Sequence, residues 1–312
     1  MTHDPLPHGR TARRLRWAHL PPELRTRIEH RLGGPVVEAA SQDAGFTPAF
    51  ASVLTLADGS RHFVKAASTK AQRLFANSYR AEGERLGTLP DGLPAPRLRW
   101  MLDADDWVVL GLEYVDHTRP ARPWQPAELD RALDLLEETA HTLTPNPVPG
   151  VGPLVDDLTP MARLWHGRLL AQDPELAHGL DAADLAARVD ELVGDTLVHS
   201  DVRDDNVLLR ADGRALLCDW SWAATGPAWF DSLCLLIGAR GDGVDVERIV
   251  AERPLLRAAD PELIDVALAV LTGYFLAMAS DAVPSNSPWL RAAQAWQGEA
   301  AWSWLRERRG WS

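Results

Sequence analysis

Along the first 115 residues, apolar and polar positions mostly alternate; beyond that, apolar residues recur every third or fourth place. In the alternating part, ASVLTL and RHFVKA flank the polar turn Ala57 to Ser60 and read as a hairpin. Val36-Val37 opens an earlier strand, and LPAPRLRWML with WVVLGLEYV gives two more around the turn Asp103 to Asp106. Two helices interrupt these strands. One covers 21–32 (PPELRTRIEHRL), started by prolines and stopped by Gly33-Gly34; the other runs from about Thr69 to Leu86.

After Val115 the proline-rich connector DHTRPARPWQP leads into AELDRALDLLEETAHTL, with Leu129, Leu133 and Leu136 at helical spacing. A loop, TPNPVPGVGP, follows. Helical patterns then cover 160–171, 181–193 and most of the remainder beyond LLCDW to Ser312. Only the segment LVHSD…LLCDW breaks them, with two short strands about the turn Ala211-Asp212-Gly213. The pattern predicts an α+β chain in three parts: a helical extension (1–34), a β-rich N-lobe (35–115) and a mostly α-helical C-lobe (116–312).

Charge narrows the partners. The chain has 32 basic and 44 acidic residues among 312, a formal net charge of −12. Such a surface does not suit nucleic acid, whose phosphates need a basic partner. The two cysteines, Cys218 and Cys234, lie in apolar surroundings with no metal-binding spacing and suit a reducing compartment. Arg10, Arg13, Arg14 and Arg16 crowd the N-terminus, but no apolar signal core follows them. No apolar run approaches the ~18 residues a membrane span needs. A soluble, cytoplasmic protein is expected.

Against that acidity, the stretch LVHSDVRDDNVLL still concentrates carboxylates in one short polar loop between apolar runs. His199-x-Asp201, then Asn206, then a hairpin returning to Asp219, is the spacing phosphoryl transfer requires. One carboxylate meets the acceptor hydroxyl; another, with an amide oxygen, holds Mg²⁺ on the nucleotide phosphates. The plain alternative is a solvated turn. Upstream, Lys65 shares a strand face with Phe63 and Arg61. On the following helix Phe75, Tyr79, Glu82 and Leu86 fall within roughly 60° of one another, so Glu82 points inward while Glu84 faces solvent. An inward glutamate needs a partner, and Lys65 is the natural one.

These pieces, HSDVRDDN, CDW and YRAEGERL, resemble the aminoglycoside phosphotransferase and small-molecule kinase family, relatives of the protein kinases. The resemblance implies a protein-kinase-like two-lobe fold that binds ATP and Mg²⁺. It implies Asp201 as base, Asn206 and Asp219 as metal ligands, and Lys65 with Glu82 at the nucleotide phosphates. Gly45 and Phe46, in the loop from Ser41 to Thr47, occupy the family's phosphate-covering position without its glycine pattern. Glu113 and Val115 flank the hinge expected to pair with adenine. His199 would brace the catalytic loop, and Asp231 would be an N-cap or loop brace. Arg203 would contact phosphate or form a surface pair with Asp204 or Asp205, themselves solvated. Ser200 stands where the family usually has glycine. Trp220, Trp222 and Trp229 receive no role.

Eleven residues separate Asp219 from Asp231 and no APE-like motif follows, so a protein substrate has no platform. A small hydroxylated acceptor is expected, its site supplied mostly by 232–312. Aminoglycosides, which an acidic pocket would suit, amino alcohols and other metabolites all stay open. Two other readings compete. One is a nucleotide-binding regulatory pseudokinase with little turnover; the other is a metal-dependent phosphohydrolase, for which no second histidine cluster is present.

Overall fold

The computed structural model describes Pro7, Gly9 and residues 11–311; residues 1–6, 8, 10 and 312, Arg10 among them, lie outside it. Helix α1 (Pro22–Leu32) begins at prolines and ends at Gly33 in the left-handed region. Strands β1 (Val36–Ser41), β2 (Phe50–Leu56) and β3 (Arg61–Ser68) precede α2 (Arg73–Leu86). Strands β4 (Leu98–Ala104) and β5 (Trp107–Glu113) complete an antiparallel sheet ordered β1-β2-β3-β5-β4. Helix α2 starts four residues later than expected, because Ser68 and Gln72 close a turn after β3.

The sheet is covered on both faces. On one, Leu20, Leu24 and Ile28 pack on Phe50, Leu54, Val64 and Ala66. On the other, Ala76 and Tyr79 of α2 pack on Ala67, Val108 and Leu110. Alternation along β3 thus turns Val64 and Ala66 toward α1, and Phe63, Lys65 and Ala67 toward α2. Gly83 lets α2 sit this close, since a Cβ there would meet Leu110 and Met101 side chains at 2.7 Å.

Beyond the connector come α3 (Pro126–Thr142), α4 (Leu154–Ala162), α5 (Leu170–Gln172) and α6 (Gly179–Ala186). The helix expected over 160–171 breaks into the end of α4, a π-turn at Trp165–Leu169 and α5. The one expected over 181–193 becomes α6 and a short 3₁₀ turn. Next are β6 (Thr196–Val198), β7 (Val207–Leu209), β8 (Ala215–Leu217) and β9 (Ala224–Gly226). The expected hairpin is β7–β8, and β6 pairs with β9, a pairing the sequence pattern did not announce. Arg131 of α3 clamps the hairpin turn, donating to the carbonyls of Arg210, Gly213 and Arg214 at 2.9 Å each.

The chain closes with α7 (Phe230–Gly241), α8 (Val246–Glu252), α9 (Pro254–Arg257), α10 (Pro261–Ala279) and α11 (Leu290–Arg309). Contrary to the expectation above, α10 is long and apolar enough to cross a membrane by length and composition, yet 61% of its apolar window is buried inside the fold. It packs against α4, α6 and α11 as a core helix.

Candidate active site

One cavity of about 620 Å³ lies between the sheet and the helical lobe, and all nine residues singled out above line it: Gly45, Phe46, Lys65, Glu82, Glu113, Val115, Asp201, Asn206 and Asp219. Three of them tie the lobes together. Lys65 Nζ donates to both carboxylate oxygens of Glu82 at 2.8 Å and to Asp219 Oδ1 at 3.1 Å. Glu82 is 1% exposed, so the inward position read from helical spacing is its actual position. Burial works against the Lys65 ammonium, but Asp219 and Glu82 outweigh it and raise its pKa above the lysine range. Burial likewise opposes the Asp219 carboxylate, and Lys65 more than reverses this, holding it well below the carboxylate range.

The loop between β6 and β7 is fixed from beneath. Asp231 accepts the backbone N–H of His199 at 2.7 Å and of Ser200 at 2.9 Å. It is the loop brace; the N-cap position of α7 belongs to Trp229. His199 is fully buried and bonds the Cys218 carbonyl through Nε2 at 2.9 Å, joining the loop to the residue before Asp219. Ser200 has φ +62°, a left-handed conformation that explains glycine at this place in the family it resembles. Its hydroxyl donates to the Trp222 carbonyl at 2.6 Å and offsets part of that strain. Asn206 donates its amide N–H to the Asp201 carbonyl at 2.8 Å, which leaves the amide oxygen free. Asp219 Oδ1 takes Lys65 and Ser221, and no described residue bonds its Oδ2.

These two oxygens suit a hard divalent cation that takes its remaining ligands from phosphates and water. Among the described residues, no group of three or more His, Cys, Asp or Glu could hold a metal unaided.

The residue-level pattern now has a counterpart in known proteins. The model of a phosphotransferase enzyme family, named for the aminoglycoside phosphotransferases, matches residues 50–264. The chain belongs to that family. It is a phosphotransferase, and it has the two-lobe, protein-kinase-like fold of solved small-molecule kinases. Solved structures share the architecture. A choline/ethanolamine kinase family protein from Mesorhizobium loti superposes with a TM-score of 0.60 at 14% identity, over 91% of this chain and 94% of that one. An aminoglycoside phosphotransferase from Alicyclobacillus acidocaldarius gives a TM-score of 0.55 at 16% identity, over 93% and 96%. A third, from Streptomyces rimosus and solved with ADP and streptomycin, gives 0.51 at 16%, over 89% and 99%. No curated protein matches the chain.

The structure corrects several details of the kinase's loop. Asp204 and Asp205 are not solvated: Asp204 pairs with Arg122 from the connector, and Asp205 with Arg203 at 2.9 Å. Arg203 is no surface residue. Its guanidinium grips Asp201 and Asp205 together and lies 5.8 Å over the Phe46 ring. Burial raises the Asp201 carboxyl to about 6, with Arg203 pulling the other way. The two cysteines are free but only half-buried, at the cavity wall.

Arg14 is the contributor that sequence reasoning missed. The segment before α1 runs along the glycine-poor loop, where Thr11 Oγ donates to the Gly45 carbonyl at 2.6 Å and Arg14 to the Ala44 carbonyl at 2.7 Å. Arg14 lines the cavity with its Nε buried and unpartnered. Its signal was one arginine among several at the N-terminus, which carries no address. From the other lobe, Ser287 donates its hydroxyl to the Phe46 carbonyl, so both lobes hold this loop.

Proposed function

We propose that this kinase transfers the γ-phosphoryl group of ATP to a hydroxyl of a small molecule, with Asp201 as base. The observation that carries this is the Lys65–Glu82–Asp219 bridge across one cavity shared with Asp201 and Asn206. Lys65 and the unpartnered Nε side of Arg14 face the nucleotide phosphates. The adenine edge lies along Glu113 to Val115, where the Val115 N–H donates to no described residue. Asn206 and Asp219 are the residues that would hold Mg²⁺, which when bound neutralises charge on the phosphate oxygens.

Asp201 orients the acceptor hydroxyl and accepts its proton as the oxygen attacks in line. Arg203 keeps the Asp201 carboxylate ionised and pointed into the cavity. The protein's contribution is mainly placement and fixed charge. We further place the enzyme in the cytoplasm, where Cys218 and Cys234 stay reduced, with no nucleic-acid partner given the net charge of −12.

Purified chain with Mg-ATP and a panel of hydroxylated amines, sugars and aminoglycosides should yield ADP with at least one acceptor. Nucleotide binding without turnover across the panel would favour the regulatory pseudokinase instead. Failure to bind nucleotide would refute both.

A further inference from the structure

Given Asp201 as the base, as proposed above, the acceptor must touch the cavity wall around it. That wall comes from the helical lobe. Tyr274 of α10 lines the same cavity as Asp201. Around it, Leu158 and Met161 of α4, Leu271 and Phe275 of α10, and Trp222 line the same space. Trp222 is 58% exposed, and an indole left facing a cleft costs apolar hydration that a ligand would relieve. The polar groups on this side include the neutral side chains of Asn286, Ser287, Gln294 and Gln297.

The carboxylates decide the charge of the acceptor. Six line the cavity, and five have cationic partners. Glu82 and Asp219 share Lys65, Asp201 and Asp205 share Arg203, and Glu113 faces Arg99 at 3.8 Å. The sixth, Asp157 in the first turn of α4, has no hydrogen bond or ion pair among the described residues; partial burial raises its carboxyl and only Arg85 opposes this through space. A ligand with several ammonium groups loses hydration at each one and needs a carboxylate for each. This wall offers one, although the chain as a whole has 44 acidic residues.

We propose that the acceptor is a hydroxylated molecule with an apolar or aromatic body and at most one positive charge. Its body lies against Trp222, Tyr274 and Phe275, and its cation, where it has one, faces Asp157. Polycationic aminoglycosides are excluded as the preferred acceptors by the shortage of unpaired carboxylate.

Two compound sets test this on the full chain with Mg-ATP, followed by ADP release and by thermal shift with a non-hydrolysable ATP analogue. One set holds aminoglycosides with several amino groups; the other holds apolar or aromatic alcohols with one amino group or none. The expected result is turnover and thermal protection confined to the second set. Trp222→Ala should raise the acceptor KM roughly tenfold or more with little change in ATP KM. Asp157→Asn should weaken singly charged acceptors and spare uncharged ones. Stronger protection or faster turnover with aminoglycosides would overturn the proposal, and so would a nucleotide-bound protein that responds to neither set. Loss of nucleotide binding itself would strike the phosphotransfer reading instead.

Discussion

At the proposed nucleotide end of the cleft, Glu82 and Asp219 are locked onto Lys65, and beside them Arg203 holds Asp205 and the proposed base, Asp201. At the proposed acceptor end, the wall is mostly apolar, and its one acid, Asp157, makes no hydrogen bond or ion pair with a described residue. The Lys65–Asp219 pair spans the lobes and Arg203 ties its own loop, so this geometry is set before any ligand arrives. The proposed acceptor end is shaped by helix packing, so on this proposal its selectivity lies in surface shape and in which charges are missing. Substitutions at the two ends should therefore fail in different ways.

The largest effect is expected at the proposed base. Asp201→Asn should lower kcat on the order of 10²- to 10⁴-fold, with Mg-ATP affinity kept, as read by titration of the variant. Breaking the lobe bridge comes next. Lys65→Met strands Glu82 and Asp219, and urea unfolding should show a loss of about 3 kcal/mol, the low end for a broken buried pair because Asp219 stays 32% exposed. Asp157→Asn, at the other end, should stay within about 0.5 kcal/mol in the same experiment. Equal losses at the two ends would erase the contrast.

Smaller changes sharpen it. Arg14→Gln should weaken ATP binding about tenfold, roughly 1.4 kcal/mol, and leave adenosine binding unchanged; equal weakening of both would make Arg14 only a loop brace. The pH profile follows from Asp201. As the proposed base, Asp201 acts as a carboxylate, so kcat/KM should rise with pH through about 6. Arg203→Gln removes the cation that lowers this pKa, so the acid limb should move to higher pH. Ser200→Gly trades a hydrogen bond for release of a left-handed φ, and its net change should stay within about 1 kcal/mol.

The two ends also differed in how well the sequence displayed them. Helical spacing placed Glu82 on the buried face, strand alternation turned Lys65 toward it, and the His199-to-Asp219 spacing identified the loop. The first two are local periodicities and the third a local motif, which a chain shows directly. What stayed hidden depends on distant partners. Asp204 looked solvated because Arg122 lies 82 residues away along the chain. Arg203 looked like a surface residue because nothing local shows that a loop from the other lobe covers it. The β6–β9 pairing spans three-residue strands, too short for a period to appear. The acceptor wall is assembled from four separate segments, and its shortage of free carboxylate is a property of pairings that composition, at −12 overall, masks.

The most direct test of the central claim is to follow where the γ-phosphoryl group goes. Protein, Mg-ATP and a responsive acceptor are incubated together, and the products are read by mass spectrometry and phosphorus NMR. The account predicts ADP and phosphorylated acceptor in equal amounts, both lost in Asp201→Asn. ADP with only inorganic phosphate, or unchanged transfer in Asp201→Asn, would contradict it.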